Sequence, residues 1–247
     1  MTEFLVAPSG RRLAFNRLAG AGTGIMFLGG LRSDKEGTKA LWLEEWARSR
    51  GRPFLRFDYS GHGQSSGRFE DGCIGDWAQD AADMIAAQSD GPQILVGSSM
   101  GGWVALLLAR ARPDDVAGLV GIAAAPDFTA RILAQELDAE QRAELEASGR
   151  VTLRSDYSAE GYVLARRLFE DGERNLVLDR PLTLPFPVRL LQGEADTDVP
   201  PEVALRLFAH ASGPDIRLTL VKGADHRFST PDCLALIGAT LDGIGPP

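Results

Sequence analysis

The chain has 247 residues, with 26 Lys and Arg against 34 Asp and Glu and a formal net charge of −8. This acidic balance argues against binding to nucleic acid and against docking on an anionic membrane, since both need clustered cations. Hydrophobic residues make up 44% and charged residues 24%, which is ordinary for a soluble globular protein with a large core. A single α/β domain of this length is common.

The N-terminal stretch and the cysteines bear on the location of the protein. MTEFLVAPSGRRLAF has no basic segment followed by a sustained apolar run, so we expect neither a signal peptide nor a transmembrane anchor. Cys73 and Cys233 do not make a disulfide framework in a chain this long, which favours two reduced thiols. We therefore expect a cytoplasmic protein.

Segments with strand and helix patterns alternate along the chain. Because the strands are apolar on both faces, they predict a largely parallel sheet covered by helices. The predicted strands are a hairpin over 2–18 around Pro8-Ser9-Gly10, then 25–28, 53–58, 93–97, 116–125, 188–193 and 216–221. The predicted helices are 38–50, 76–88, 102–112, 202–211 and a last one from about residue 231.

The segment 126–187 interrupts this alternation. No strand pattern is apparent in it, so we predict a small helical lid inserted over the sheet edge, with residues 1–247 forming one domain. Its two predicted helices are residues 139–147, with Asp138 and Gln141 placed as a capping box, and residues 159–170, with Ser158 as the cap.

The letters GSSMGG at 97–102 join a predicted strand to a predicted helix. A phosphate-binding loop would need a Walker lysine or G-x-G-x-x-G spacing, and neither is present. The first five letters instead match G-x-S-x-G, the nucleophile elbow of hydrolases. At this strained turn the positions two before and two after the serine are pressed together. Centring on Ser99 puts glycines there, whereas centring on Ser98 would put Val96 and Met100 there, so Ser99 is the predicted nucleophile.

A serine nucleophile needs a base, normally a histidine that a carboxylate orients. His226 lies in the loop after the last predicted strand, where a histidine has few structural reasons to occur, and is the predicted general base. His210 lies near a helix end and fits a surface or capping role. His62, in the glycine-rich loop DYSGHGQSS, is either a turn residue or a residue that lines the site.

The orienting acid is expected after the preceding strand, where LLQGEADTDVP offers Glu194, Asp196 and Asp198. Asp198 fits the role of an acidic residue at the start of the next helix. Asp196 stands three residues after the strand-end glycine and is the predicted acid. The chain order Ser99, Asp196, His226 is that of the α/β-hydrolases.

An oxyanion hole needs two N–H donors aimed at the developing negative charge. We predict the backbone N–H of Met100 as one donor and that of Leu31 as the other. Gly29 and Gly30 let the second loop approach closely, although a simple tight turn would also explain them. The residues predicted to line the site are Gly29, Gly30, His62 and Ser98.

Several of these segments resemble one family. EGTKALWLEEWARSRG, RFDYSGHGQSSG, GPQILVGSSMGGW, FPVRLLQGEADTDVP and ADHR are similar to the mitochondrial acyl-protein thioesterases, a family also known for mycophenolic acid acyl-glucuronide esterase activity. The similarity spans about residues 25–230 and is weakest in the insertion. It implies an α/β-hydrolase fold with an eight-stranded, mostly parallel sheet and a small lid. The family's serine, acid and histidine fall on Ser99, Asp196 and His226.

These observations predict a serine hydrolase that needs no cofactor or metal and cleaves acyl thioesters or carboxylic esters through an acyl-enzyme. The expected partner is a small acyl ester or thioester, or an acylated protein; we expect no nucleic acid and no membrane span. C–C bond hydrolysis, perhydrolysis and non-catalytic ligand binding remain alternatives. Four apolar residues of the insertion fit either an acyl pocket or simple packing: Tyr162, Leu164, Leu168 and Phe169.

Overall fold

The structure is a computed structural model that describes residues 1–155 and 158–244. Its strands are β1 Glu3–Val6, β2 Arg12–Leu18, β3 Ile25–Leu28, β4 Phe54–Phe57, β5 Gln93–Ser98, β6 Val116–Ile122, β7 Arg150–Ser155, β8 Ser158–Ala165, β9 Leu182–Thr183, β10 Val188–Gly193, β11 Ala211–Ser212 and β12 Ile216–Val221. Its helices are α1 Thr38–Ser49, α2 Ile74–Gln88, α3 Met100–Ala111, α4 Phe128–Arg131, α5 Ala139–Ser148, α6 Arg166–Arg174, α7 Pro201–His210 and α8 Pro231–Asp242.

Eight of these strands form one sheet in the order β1-β2-β4-β3-β5-β6-β10-β12. β2 is antiparallel to both β1 and β4, and the strands from β4 to β12 pair in parallel. The predicted fold is therefore confirmed, and β3, β10 and β12 begin and end at the predicted residues. Because parallel strands share a direction, the loops that follow β3, β5, β10 and β12 meet at one edge of the sheet.

The sheet separates two apolar layers. Along β5, Leu95 points into a layer with α2 and α3, whereas Ile94 and Val96 point into a layer with α1 and α8. This alternation follows from the two-residue repeat of a strand. Cys73 and Cys233 are both buried but belong to opposite layers, so the sheet stands between the two thiols.

Helix α3 begins in backbone contact with the sheet. A Cβ atom on Gly97 would overlap the carbonyl of Gly101, and one on Gly101 would overlap the carbonyl of Leu28. Only glycine lets the first turn of α3 pack so closely on the ends of β3 and β5. The spacing predicted for a nucleophile elbow is thus present as a packing requirement.

The insertion (residues 126–187) contains a β-hairpin that we did not predict. β7 and β8 pair antiparallel, and Val151 faces Leu164 with both side chains buried. The helix predicted over 159–170 is therefore wrong in its first half, since Ser158 begins β8 and α6 starts only at Arg166. Burial across the strand pair overrides the helical spacing of the apolar residues. The insertion is accordingly mixed helix and strand, not helical throughout as predicted.

The other predicted helix of the insertion is confirmed as α5. The side chain of Asp138 accepts the N–H of Gln141 at 2.8 Å, and the Gln141 side-chain oxygen accepts the N–H of Asp138 at 3.1 Å. These two bonds satisfy donors that a helix start would otherwise leave unpaired. The helix ends at Gly149, which takes the left-handed conformation with φ 73°.

The close packing of α3 predicts a large cost for a single methyl group. Gly101→Ala should lower the free energy of unfolding by about 3 kcal/mol or more, because a backbone carbonyl is in its way and cannot move aside. For a chain of this size the midpoint of thermal unfolding should fall by roughly 6 °C or more.

Gly243→Ala is the matched control, since its Cβ would meet its nearest atoms at 3.5 and 3.6 Å. Gly243 also has φ −83°, which any residue adopts. The control should change the midpoint by no more than about 2 °C. Equal midpoints for the two variants, measured by calorimetry, would contradict this account of the packing.

Candidate functional site

Ser99 occupies a strained turn between β5 and α3. Its φ of 54° lies in the left-handed region, which a residue with a side chain rarely adopts. Its N–H donates to the carbonyl of Ile122 at 2.9 Å, and its own carbonyl accepts the N–H of Gly102 at 2.9 Å and of Ala125 at 3.0 Å. These bonds hold the strained conformation and present the side chain at the sheet edge.

Three residues predicted from the sequence form one hydrogen-bonded chain. Ser99 Oγ lies 3.1 Å from His226 Nε2, and His226 Nδ1 lies 2.9 Å from Asp196 Oδ2. An ionised carboxylate only accepts hydrogen bonds, so Nδ1 carries the ring proton and donates it to Asp196. The lone pair on Nε2 is then available to the hydroxyl of Ser99.

Asp196 is buried but surrounded by donors. Its Oδ1 accepts the N–H groups of Asp198 at 3.0 Å and Val199 at 2.8 Å, while its Oδ2 also accepts Gln192 Nε2 at 2.9 Å. Burial raises the pKa of this carboxyl, but the bond and charge of His226 with the other donors outweigh it and hold the pKa below 3.8. We did not predict Gln192; the polar residue near the end of the apolar strand VRLLQG is the signal that marks it.

The two other acids weighed from the sequence, Glu194 and Asp198, make other contacts. Glu194 is exposed and pairs with Lys222, and that bond holds the pKa of its carboxyl below 4.5. Asp198 lies at the cavity wall, where its carbonyl accepts Arg131 Nη2 at 2.8 Å.

His210 ends α7, and its Nε2 bonds to the carbonyl of Arg180 at 2.8 Å. Of the acids and histidines weighed from the sequence, the structure joins Asp196 and His226 to Ser99.

Two backbone segments flank Ser99, the first turn of α3 and the loop after β3. Met100 is the first residue of α3, and the N–H groups of a first helical turn have no acceptor within the helix. On the other side, a Cβ on Gly30 would lie 3.4 Å from the Cβ of Ser99, so the loop after β3 passes directly against this residue. Leu31 follows and lines the cavity. The two predicted donors thus belong to segments that flank Ser99.

His62 is not at the cavity wall, contrary to our prediction. It is buried, with Nε2 3.1 Å from the N–H of Arg32 and Nδ1 3.2 Å from the carbonyl of Ser60. Burial lowers the pKa of its ring to about 4, opposed by the Ser60 carbonyl and reinforced by the charge of Arg32. Of the other residues predicted to line the site, Gly30 and Ser98 do so and Gly29 does not.

A cavity of about 1350 Å³ opens over Ser99 and His226. One part of its wall is apolar and comes largely from the insertion. Of the four insertion residues that fitted either an acyl pocket or simple packing, Tyr162 and Leu164 line the cavity, whereas Leu168 and Phe169 lie in the core. Leu164 also packs in that core. Phe128, Ile132 and Leu153 of the insertion also line this apolar part.

Lys39 is a wall residue that we did not predict. It projects from α1, and its Nζ donates to the carbonyl of Arg227, beside His226. Burial lowers the pKa of its ammonium to about 8, with the charge of Asp225 opposing and that of Arg227 reinforcing the shift. Lys39 therefore ties α1 to the loop that carries His226.

Residues 1–155 and 158–244 contain no group of three or more His, Cys, Asp or Glu side chains placed to hold a metal ion. Over the same ranges, the helices are too short or too polar to cross a bilayer.

The mostly parallel eight-stranded sheet, with Ser99 at the turn after β5 and the acid and histidine after β10 and β12, defines an α/β-hydrolase. Residues 42–159 match the family model described as serine aminopeptidase, S33. Human palmitoyl-protein thioesterase ABHD10, mitochondrial, is 38% identical over 243 residues, which cover 98% of this chain and 79% of that protein. The chain therefore belongs to the ABHD10 family of α/β-hydrolases, and it is a hydrolase.

Solved structures agree with this assignment. A putative hydrolase from Agrobacterium vitis S4 superimposes with a TM-score of 0.93 and 39% identity, covering 99% of this chain and 98% of that one. The mouse α/β hydrolase domain-containing protein 10 has a TM-score of 0.91 and 37% identity over the same shares of the two chains. The resemblance seen in the motifs is thus confirmed over nearly the whole chain.

The predicted cytoplasmic location is wrong by the same comparison. The bovine, rat and human relatives, 37 to 38% identical over 98% of this chain, are all named mitochondrial. We based the location in part on two reduced thiols, and reduced thiols do not distinguish one reducing compartment from another.

Burial of a neutral His62 makes the stability of the protein depend on pH. In the unfolded chain a histidine binds a proton below about pH 6.5, whereas in the folded chain His62 does so only near pH 4. As the pH falls from about 7 to about 4, the free energy of unfolding of the wild type should therefore fall by about 3 kcal/mol more than that of His62→Phe.

Urea unfolding of both proteins across this range measures the difference, and titrations shared by the two proteins cancel in it. The relative stability should change mainly between the two pKa values. A difference that is flat with pH would show that His62 is charged, or solvated, in the folded protein.

Proposed function

We propose that this hydrolase cleaves acyl thioesters or carboxylic esters, with Ser99 as nucleophile, His226 as general base and Asp196 as the orienting acid. The observation that carries the proposal is the unbroken chain of hydrogen bonds from Ser99 Oγ through His226 to Asp196, at the floor of a cavity with an apolar wall. The naming of the relatives as palmitoyl-protein thioesterases supports an acyl thioester as one substrate.

The reaction begins when His226 Nε2 takes the proton of Ser99 as Oγ attacks the acyl carbonyl carbon. The carbonyl oxygen becomes an oxyanion, and the N–H groups of Met100 and Leu31 stabilise its charge. His226 then gives the proton to the departing thiolate or alkoxide, which leaves an ester between the acyl group and Ser99. Water, deprotonated by His226, attacks this ester; the bond from the acyl carbon to Oγ then breaks, His226 returns the proton to Ser99, and the acid is released.

Asp196 acts on His226 and not on the substrate. As an ionised acceptor it keeps the proton on Nδ1 and stabilises the imidazolium that forms when Nε2 is protonated. Its depressed pKa keeps it ionised at neutral pH. The amide of Gln192 and two backbone N–H groups hold the carboxylate in place beside His226.

The acyl group lies along the apolar part of the cavity wall in this proposal. Phe128, Ile132, Leu153, Tyr162 and Leu164 supply this wall, and all five belong to the insertion. We accordingly propose that residues 126–187 act as the lid of a single-domain hydrolase and shape its preference for acyl groups. A long acyl chain gains more from this wall than a short one because each methylene leaves water.

Removal of the nucleophile tests the assignment most directly. Ser99→Ala should lower kcat for a p-nitrophenyl acyl ester by at least about 10³-fold, because no acyl-enzyme can form. It should also abolish labelling by a fluorophosphonate probe. Ser98→Ala, which tests the alternative frame of the motif, should keep the labelling. Labelling or turnover that persists in Ser99→Ala would refute the mechanism.

An acyl-chain-length series tests the placement of the substrate. With matched thioesters and oxygen esters, kcat/KM should rise by up to about four-fold per methylene while the chain remains in contact with the apolar wall. Ile132→Thr keeps the branched shape but adds a hydroxyl to the wall, so it should flatten the rise. The same dependence in both proteins, or none in the wild type, would place the acyl group elsewhere.

A further inference from the structure

The loop after β3 takes an unusual path beside Ser99. Arg32 has φ 57°, a left-handed conformation that a residue with a side chain keeps only where its surroundings hold it. The loop turns through a bond from the N–H of Ser33 to the carbonyl of Gly30 at 3.1 Å. Leu31, the predicted oxyanion donor, stands between Gly30, which touches Ser99, and this strained residue.

His62 bonds to the backbone of the strained residue, Arg32. The N–H of Arg32 donates to His62 Nε2 at 3.1 Å, and the opposite ring nitrogen donates to the carbonyl of Ser60 at 3.2 Å. A backbone N–H can only donate and a carbonyl can only accept, so these two partners require the neutral ring with its proton on Nδ1. The interaction is therefore specific for one tautomer of an uncharged histidine.

The ring of His62 is itself fixed. Tyr59, Phe69 and Trp77 pack edge-on around it, with ring centroids 5.7, 5.3 and 5.2 Å away. The carbonyl of Ser60 also accepts the indole N–H of Trp77 at 3.1 Å. Because the ring is fixed, Nε2 of His62 cannot move with the N–H of Arg32. The hydrogen bond between them is therefore kept only when the loop holds this N–H in place.

Other contacts on this loop act at different atoms. The guanidinium of Arg32 donates to the carbonyl of Gly161 in the insertion at 3.1 Å, and Asp58 accepts the N–H of Lys35 at 2.6 Å. The first holds a side chain and the second holds the loop three residues further on. The bond to His62, in contrast, acts on the peptide unit that joins Leu31 to Arg32.

We propose that His62 is a positioning residue for the oxyanion hole, holding the Arg32 peptide so that the N–H of Leu31 points at the oxyanion formed on Ser99. This inference rests on the proposed function. His62 does not touch the substrate, and it acts only through the backbone of the loop. A loss of its acceptor nitrogen should therefore weaken binding of the transition state and leave binding of the substrate little changed.

Two matched pairs of variants separate the acceptor from the packing. His62→Phe keeps an aromatic ring in the buried site but removes the acceptor. His62→Gln carries an amide oxygen to about the place of Nε2, whereas His62→Asn has the same amide but does not reach it. The Gln and Asn pair decides the question if the Phe variant does not fold.

The measurements are kcat and KM for a p-nitrophenyl acyl ester, with active sites counted by fluorophosphonate titration. His62→Phe and His62→Asn should lower kcat by about 10- to 100-fold with KM within about three-fold, and His62→Gln should recover most of the loss. Affinity for a trifluoromethyl ketone, which forms an oxyanion on the serine, should fall in parallel with kcat/KM.

Wild-type kcat in His62→Asn, or equal losses in the Gln and Asn variants with unchanged trifluoromethyl ketone affinity, would overturn the positioning role. That result would leave His62 as a packing residue and the proposed function intact. Turnover that persists in Ser99→Ala would instead remove the proposed function, so the two failures are distinguishable.

Discussion

The site depends on the absence of side-chain volume where three backbone segments meet. The end of β5, the first turn of α3 and the end of β3 touch through Gly97, Gly101 and the carbonyl of Leu28. With α3 seated this close, the chain must reverse within one residue, and Ser99 takes the left-handed conformation that this requires. Its side chain then projects outward because its neighbours' backbones occupy the inward space. The position of Ser99 is a consequence of packing, before any polar contact forms.

The strained residues gather at the same sheet edge. Ser99, Arg32, Ala123, Asp127 and Phe228 are the non-glycine residues described with positive φ, and they lie in the loops after β5, β3, β6 and β12. Several of them are held by a backbone bond to a neighbouring segment, such as the N–H of Ala123 to a carbonyl of β10 at 2.8 Å. Backbone strain of this kind persists only where the surrounding structure is rigid. The parallel strands supply that rigidity, so the loops that follow them can keep residues with positive φ.

The features that were predicted correctly from the sequence are those that a short stretch of residues determines. The central strands and the Ser99 turn follow from apolar runs and glycine spacing, since a buried strand and a backbone contact each leave a local signature. The β7–β8 hairpin was missed because its burial comes from pairing Val151 with Leu164 across the two strands, and a helical reading satisfied the same letters. The hydrogen bonds of Gln192 and His62 were not predicted, because their partners are distant in the chain or are backbone groups.

Two buried titratable groups beside the site show how hydrogen-bond partners set its charge. Burial disfavours the charged form of both Asp196 and His62. Asp196 nevertheless stays ionised because the groups that bond to it are donors, and one of them is His226. His62 stays neutral because one of its partners, the N–H of Arg32, needs a lone pair that a protonated ring lacks. The negative charge of Asp196 and the neutral acceptor of His62 therefore follow from burial together with the N–H groups that each side chain accepts.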